Sequence, residues 1–152
     1  MTSNNVENTR RAYRAFGEGD IGTLTSLIAP DCIWHVTGRS VLSGDYVGYE
    51  QILGYFARLA ELTGGTFKAE LTDVGELSGG LVTVLVRISA KRNGQTLDTR
   101  MVQIGKSNAA GQVQECWWFA EDAYAGDEFF GPRQIVLPEQ KAKAKAKAKA
   151  HT

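Results

Sequence analysis

Apolar residues recur at helical spacing in the first part of the chain and at alternate positions in the second part. From Val6 to Phe16 they follow a three-to-four spacing, which predicts a first helix that Gly17 ends. Asp20 is placed to cap a second, shorter helix, which Pro30 terminates. The same spacing predicts a third helix from Tyr49 to Leu62. The first two helices are therefore expected to form a hairpin with one apolar face.

Alternation with a period of two predicts the strands. They are Cys32–Val36, Thr66–Leu77, Leu81–Lys91, Gln95–Gly105 and Gln112–Phe119. The dipeptide Asn93-Gly94 is a strong hairpin signal, and connections this short make neighbouring strands antiparallel. Residues 39–48 are interpreted as a loop, and residues 121–130 as a segment that folds back over the open end of the sheet. The predicted fold class is α+β, with three N-terminal helices packed in a strongly curved antiparallel sheet.

Composition indicates a single domain. With 152 residues, 43% of them hydrophobic, the chain is long enough to bury a sizeable core. The N-terminus lacks the apolar stretch of a secretory signal, and nowhere do about 18 apolar residues run together, so a cytoplasmic protein without a membrane span is expected. Cys32 and Cys116 both lie in apolar strand patterns, which favours buried free thiols over a disulfide or a metal site.

Charge separates a C-terminal tail from the rest of the chain. Five of the 17 basic residues belong to the Lys-Ala repeat that starts at Lys141, which leaves 12 basic residues against 17 acidic ones. This acidic balance argues against a nucleic-acid-binding body. We divide the chain into a domain at residues 1–131 and a flexible tail at residues 132–152. The tail is interpreted as a solvated segment; the alternatives are a weak tether to an anionic polymer or membrane surface, and an addition foreign to the natural protein.

Four segments carry a family resemblance. They are Ile28–Gly38 (IAPDCIWHVTG), Ser43–Glu50 (SGDYVGYE), Glu115–Asp122 (ECWWFAED) and Asp127–Phe130 (DEFF). Together they resemble SnoaL-like proteins of the superfamily that includes nuclear transport factor 2 and ketosteroid isomerase. The resemblance covers roughly residues 4–130, which is everything except the tail.

The resemblance implies a cone-shaped fold, in which a curved sheet wraps round helices and leaves an apolar pocket at the open end. Members include polyketide cyclases, ketosteroid isomerases, epoxide hydrolases, dehydratases and many proteins of no known activity. Homodimers that form through the outer face of the sheet are frequent in the family. The resemblance is therefore specific for the fold and says little about the reaction.

His35 is the first candidate for acid/base chemistry. A histidine beside Trp34, on a strand that walls an apolar cavity, is suited to move a proton near neutral pH. It lies near the position where ketosteroid isomerases, by resemblance, carry a carboxylate base, and this sequence has no carboxylate there. The alternative is a structural histidine that hydrogen-bonds backbone groups at the pocket edge.

Asp98 and Arg100 are two residues apart on one predicted strand, so they share a face. If that face is the concave one, with Val102 and Ile104 deeper in, the pair resembles half of the arginine-bridged carboxylates of the family's epoxide hydrolases. The alternative is an ion pair at the outer sheet surface or at a dimer interface.

Two tyrosines and one aspartate complete the polar candidates. Tyr13 and Tyr55, on the first and third helices, are placed to donate a phenolic hydrogen bond to a ligand oxyanion, or simply to pack in the core. By resemblance to the cyclases, which carry an acid/base aspartate at about this distance past the last strand, Asp127 is a candidate acid or base. A solvated surface carboxylate is the alternative.

Aromatic residues are expected to wall the pocket. Trp117 and Trp118 point to opposite faces of the last strand, and comparison with the cyclases assigns Cys116 and Trp118 to the inward face. With Trp34, such walls suit flat apolar ligands, although aromatic side chains also serve as ordinary core filler.

The sequence contains no glycine-rich phosphate loop, no metal-ligand spacing and no nucleophile elbow, so neither a cofactor nor a metal is expected. The first functional hypothesis is a cofactor-independent enzyme that performs acid/base chemistry on an apolar oxygenated small molecule. Isomerisation, cyclisation, dehydration and epoxide opening remain open. The second hypothesis is a non-catalytic ligand-binding or dimerisation module of the same fold, and the third is an adaptor anchored by the lysine tail.

Overall fold

The structure, a computed structural model, describes residues 4–132 and confirms the predicted α+β class. The helices are α1 (Asn4–Glu18), α2 (Ile21–Ser26), α3 (Gly48–Leu62) and α4 (Ala123–Phe130). The strands are β1 (Ile28–Val36), β2 (Gly44–Val47), β3 (Lys68–Glu76), β4 (Leu81–Arg92), β5 (Gln95–Ser107) and β6 (Val113–Ala120). The Lys-Ala repeat lies outside the described residues, so the flexible tail stays a prediction.

Local sequence signals fix several element boundaries. Asp20 caps α2 by accepting a hydrogen bond from the backbone N–H of Thr23 at 3.1 Å. Asp122 caps α4 in the same way, with the backbone N–H of Tyr124 at 3.0 Å. At the predicted hairpin, Asn93 and Gly94 have φ of 50° and 76°, the left-handed backbone that a tight β4–β5 turn requires. Asp20 and the Asn93-Gly94 turn therefore act as predicted, and Asp122 begins a helix in a segment that was predicted only to fold back over the sheet.

The six strands form one curled sheet in the order β2-β1-β6-β5-β4-β3. The run from β3 to β6 is antiparallel, as the short connections predicted, whereas β1 pairs with β6 in parallel. The sheet is therefore mixed. The segment interpreted as a loop at residues 39–48 contains β2, which pairs antiparallel with β1. This strand has only four residues, too few for a reliable alternation in the sequence.

The helices cover the concave face of this sheet. Two apolar clusters fill the interior, one around Trp34 and Ile52 and the other around Val84 and Val86. Because directly paired residues point to the same side of a sheet, the buried residues of β4 fix which residues of β5 face inward. Val84 pairs with Gln103, so Gln103 faces inward, and its side chain is buried.

Candidate functional site

A cavity of about 360 Å³ lies between the concave face of the sheet and the helices. Its lining is mostly apolar and includes side chains from α1, α3, α4 and the inner faces of β1, β3, β4, β5 and β6. The aromatic residues of the lining include Tyr13, Phe16, Trp34, Tyr55, Phe56 and Trp118. Such a space suits the rings of an apolar molecule.

The aromatic side chains hold one another in place around the cavity. The rings of Trp34 and Phe56 meet edge to face, with centroids 5.4 Å apart and planes at 90°. Trp118 lies between Trp34 and Tyr13, at centroid distances of 5.7 Å and 6.5 Å. Packing of this kind stabilises a defined wall beyond the area that it buries.

A buried polar chain reaches the cavity at Tyr13. The Tyr13 hydroxyl donates a hydrogen bond to Oε1 of Gln103, whose side chain in turn faces Cys116. Burial is the largest cause that raises the pKa of the Cys116 thiol, and the neighbouring Cys32 thiol raises it further, while hydrogen bonding from Gln103 acts in the opposite direction. Burial also raises the pKa of Tyr13, with Cys116 and Tyr55 as smaller contributors. Both groups are therefore neutral near pH 7, and neither is a base or a nucleophile in the ground state.

Tyr55 supplies a second phenol, in a different state from that of Tyr13. Its side chain lines the cavity, its ring packs against Tyr46 with centroids 4.8 Å apart, and its hydroxyl makes no hydrogen bond to a described residue. Burial raises the pKa of Tyr55, followed by the effects of Tyr46 and Cys116. The Tyr55 hydroxyl therefore keeps its proton, which is free to be donated to another group.

Asp127 lies where α4 covers the open end of the sheet. Its Oδ1 accepts a hydrogen bond from the backbone N–H of Arg39 at 2.9 Å, and its side chain contributes to the cavity lining. The contact needs a glycine at position 38, since a Cβ there would lie 2.9 Å from Asp127 Oδ1 and Gly38 has φ of 101°. A second link joins the backbone N–H of Val41 to the carbonyl of Gly131 at 2.9 Å. The segment predicted to fold back over the sheet is thus a helix attached to residues 38–41.

The two inward indole N–H groups do not reach the cavity. Nε1 of Trp34 and Nε1 of Trp118 are both buried against protein atoms and make no hydrogen bond to a described residue. Trp34 meets the ring of Phe56 at a right angle, and the Trp118 side chain interacts with the Cys116 thiol, whose sulfur is a weak acceptor. The two tryptophans therefore offer ring surface to a ligand, and their N–H donors remain within the wall.

His35 does not line the cavity, which contradicts the expected position. Its neighbours Trp34 and Val36 take the inner face of β1, so the alternation of the strand turns His35 outward. There its ring stacks on Trp117 at a centroid distance of 5.5 Å. Nδ1 lies 2.6 Å from Asp45 and Nε2 lies 2.7 Å from Glu115.

These two carboxylates determine the charge of His35. Hydrogen bonding to Glu115 is the largest cause that raises the pKa of the imidazole above its ordinary value, and hydrogen bonding to Asp45 is the second. The protonated ring donates one N–H to each carboxylate and so links β1 to β2 and β6 across the outer face. Both nitrogens are engaged in this arrangement, away from the cavity.

Asp98 and Arg100 also lie on the outer face of the sheet, so the expectation that they face its concave side is wrong. Arg87, which faces outward on β4, pairs with Arg100 in the sheet register and forms a two-point ion pair with Asp98 at 2.8 Å and 2.9 Å. Arg100 instead contacts Glu121, with Nε 3.0 Å from Oε2. All four side chains are about half exposed or more. Val102 shares this face, so it does not lie deeper in the cavity.

The structure therefore brings together only part of the predicted set. Five of the candidates line one cavity: Tyr13, Trp34, Tyr55, Trp118 and Asp127. Cys116 faces inward but is fully buried behind the wall, so it does not line the cavity as expected. Ligand binding and catalysis by any of these residues stay predictions. Sequence reasoning missed Gln103, whose signal was an amide at an inward position of an otherwise apolar strand face.

Two further features of the described part of the chain concern metal sites and membrane spans. Within residues 4–132, no group of three or more His, Cys, Asp or Glu side chains is arranged to hold a metal ion. No helix in the same range is long and apolar enough to cross a membrane.

Comparison with known proteins identifies the family. The model of the SnoaL-like domain matches residues 9–116. An uncharacterized protein of Mycobacterium tuberculosis is 31% identical over 121 residues, which cover 80% of this chain and 92% of that protein. The solved structure of Bal32a from a soil-derived mobile gene cassette is 39% identical, covers 84% of this chain and 97% of its own, and superposes with a TM-score of 0.81.

A more distant structure shares the fold alone. TerC, co-crystallized with polyporic acid, is 22% identical, covers 84% of this chain and 98% of its own, and gives a TM-score of 0.74. Because the family model matches most of the chain, and a solved NTF2-like protein has the same fold, the assignment of the sequence motifs is confirmed. The chain belongs to the SnoaL-like family.

Proposed function

We propose that this protein binds an apolar, ring-containing small molecule that carries at least one oxygen atom, inside the cavity under α4. The observation that carries the proposal is the aromatic cavity of about 360 Å³, which has only a few polar side chains in a mostly apolar lining. Ligand sites of proteins typically combine such apolar walls with a small number of fixed polar groups. Tyr13 and Tyr55 supply two phenols that would contact a ligand oxygen.

Binding is best tested with a neutral fluorescent probe and a variant that fills the cavity. N-Phenyl-1-naphthylamine, whose emission rises in apolar surroundings, should bind the wild-type protein with saturation at one site. Ala12 lines the cavity from α1, and Ala12→Leu adds three carbon atoms to that wall. We expect Ala12→Leu to weaken probe binding by at least about tenfold, which corresponds to about 1.4 kcal/mol.

Ala57→Leu is the matched control, because Ala57 is exposed on α3 and lies outside the cavity lining. It should leave the affinity unchanged. Equal affinities of the wild type and Ala12→Leu, with both proteins folded by circular dichroism, would place the probe elsewhere and contradict the proposal.

A second candidate function, acid/base chemistry on the bound molecule, is favoured by one observation. Among the described residues that line the cavity, Asp127 is the only carboxylate, and no lining side chain is a histidine, lysine or arginine. Asp127 would accept or return a proton, and the Tyr55 hydroxyl would donate a hydrogen bond to a developing oxyanion. This assignment moves the proton-transfer role from His35, which lies on the outer face, to Asp127.

The acid/base candidate has a direct assay in the exchange of protons next to a carbonyl group. The α-protons of 2-tetralone, dissolved in D2O with catalytic amounts of the protein, should exchange faster than in buffer alone. Asp127→Asn should abolish this acceleration and retain affinity for N-phenyl-1-naphthylamine. If the wild type and Asp127→Asn accelerate exchange equally, Asp127 is not the base.

We also propose that the protein forms a homodimer through the outer face of its sheet. Leu85, Val102 and Phe119 are direct neighbours across β4, β5 and β6. Leu85 and Phe119 are 46% and 43% exposed in the single chain, which is unusual for large apolar residues in the middle of a sheet. The flanking ion pairs, Arg87 with Asp98 among them, would surround this apolar row with charge.

A further inference from the structure

The two phenols of the cavity differ in what they can offer to a ligand. A tyrosine hydroxyl has one proton to donate and also accepts hydrogen bonds. In Tyr13 that proton is committed to Oε1 of Gln103. In Tyr55 the proton is not committed to any described residue. Tyr13 therefore presents oxygen lone pairs to the cavity, whereas Tyr55 presents a donor as well.

The surroundings of Gln103 explain why its amide oxygen faces Tyr13. The side chain is only 6% exposed and lies between the Tyr13 phenol and the Cys116 thiol. A phenol is a strong donor, whereas a thiol is a weak donor and a weak acceptor. The stronger hydrogen bond forms when the amide oxygen takes the phenol proton, and the amide N–H groups are then directed toward sulfur. Gln103 is held in this orientation by neighbours on both sides.

The sheet register makes this arrangement rigid. Gln103 pairs directly with Val84 on one side and with Trp118 on the other, in the middle of the inner face. Trp118 also packs against the ring of Tyr13 at a centroid distance of 6.5 Å. The acceptor of the Tyr13 proton is thus built into a central strand, and replacing it changes the hydroxyl without moving a flexible loop.

We propose that Gln103 is the positioning residue that sets ligand specificity: by holding the Tyr13 proton, it makes the cavity prefer ligands that present a hydroxyl group over ligands that present a carbonyl group. A ligand hydroxyl donates its proton to the Tyr13 oxygen and still accepts a hydrogen bond from Tyr55. A carbonyl oxygen has no proton for Tyr13 and competes with Gln103 for the phenol proton. The inference rests on the proposed binding function and adds the chemical class of the ligand's polar end.

Two probes with one carbon frame measure this preference. The alcohol 1-tetralol and the ketone 1-tetralone differ only at the oxygen-bearing carbon, and their affinities are obtained by displacement of N-phenyl-1-naphthylamine. The wild type should bind the alcohol more tightly than the ketone, by about threefold to tenfold, the effect of one hydrogen bond. Using the ratio of the two affinities cancels any general weakening of the cavity.

Variants at position 103 separate specificity from structure. Gln103→Leu removes the acceptor, frees the Tyr13 proton and should shift the ratio in favour of the ketone by at least about threefold. Gln103→Glu keeps an oxygen acceptor and should retain the preference for the alcohol. Tyr13→Phe should remove most of the preference, and Gln103→Leu should then have no further effect on the ratio. Gln95→Leu, the same change at an exposed position of β5, should leave the ratio as in the wild type.

The outcomes distinguish this inference from the function on which it rests. If neither tetralin derivative displaces the naphthylamine probe from the wild type, the proposed binding function fails together with the inference. If both bind but with equal affinity, or if Gln103→Leu leaves the ratio unchanged, the role of Gln103 is refuted and the binding function stands. A ratio shifted toward the ketone by at least about threefold in Gln103→Leu, with the wild-type ratio retained in Gln103→Glu, supports the assignment.

Discussion

Gly38 is the position at which a single methyl group should most clearly disturb the site. Its φ of 101° is a left-handed backbone that is strained for alanine by about 1–3 kcal/mol. The added Cβ would also lie 2.9 Å from Asp127 Oδ1 and 3.3 Å from Ser43 Oγ. Asp127 would have to move away from the backbone N–H of Arg39, at a further cost of about 1 kcal/mol. We therefore expect Gly38→Ala to lower the free energy of unfolding by about 2–4 kcal/mol.

Gly131→Ala separates the two contributions to this loss. Gly131 has a similar φ of 91°, but no atom lies within 4 Å of the Cβ that alanine would add. Gly131→Ala should therefore lower the free energy of unfolding by the backbone strain alone, about 1–3 kcal/mol. Equilibrium unfolding in urea, followed by tryptophan fluorescence, measures both variants against the wild type.

A double substitution identifies Asp127 as the source of the difference. With Asp127→Ala in the background, Gly38→Ala should cost about 1 kcal/mol less than it does in the wild type, because the contact is already absent. The reasoning is refuted if Gly38→Ala costs no more than Gly131→Ala, or if Asp127→Ala does not reduce its cost. Either result would mean that α4 is not held at residues 38–39 by this contact.

Two further predictions concern the outer face of the sheet. Since the folded-state pKa of His35 is raised, the stability contributed by its links to Glu115 and Asp45 should be fully present below about pH 6.5 and lost as the pH rises through the folded pKa. Because these side chains are partly exposed, His35→Gln should lower the free energy of unfolding in urea by about 1 kcal/mol or less at pH 6, and by a smaller amount at pH 9. Arg87→Gln, the control, should have the same effect at both pH values. Equal losses of stability for His35→Gln at pH 6 and pH 9 would refute the link. Leu85→Glu should convert the dimer to a monomer, as measured by light scattering. Lys91→Glu, which changes an exposed residue of the same strand, should leave the dimer intact. A monomeric wild type would contradict the proposed interface.

The part of the fold that could be predicted from sequence was the part in which local patterns and packing agree. The apolar residues of β4 alternate regularly, and they fill the inner face. The Asn93-Gly94 turn was recognisable because few other pairs adopt its backbone. β2 was missed because four residues carry too little alternation. The parallel pairing of β1 with β6 was missed because it joins distant parts of the chain.

The errors at the candidate site have one physical origin, the choice of face on strands that are apolar on both sides. β5 carries Met101 on its inner face and Val102 on its outer face, so hydrophobicity alone does not orient it. Counting pairs from the Asn93-Gly94 turn resolves this, since Arg92 pairs with Gln95 and, further along, Arg87 pairs with Arg100. Because a charged Arg87 faces solvent, Arg100 must face solvent too.

The same ambiguity affected β1, and the side chains around it decided the outcome. Both Trp34 and His35 are plausible inward residues in the sequence. The structure places Trp34 against Phe56 and Trp118, whereas His35 meets Asp45 and Glu115, which come from strands on either side. Glu115 is 80 positions from His35 in the sequence, so no local pattern predicts that its carboxylate contacts His35.

A crystal structure of the protein with N-phenyl-1-naphthylamine would test the central claim most directly, because the chain offers two apolar surfaces to such a probe. We expect the probe to lie inside the cavity, against the rings of Tyr13 and Trp118 and beneath α4. A probe bound instead on the outer face at Leu85 and Phe119, with the cavity free of it, would contradict the claim that the cavity is the ligand site.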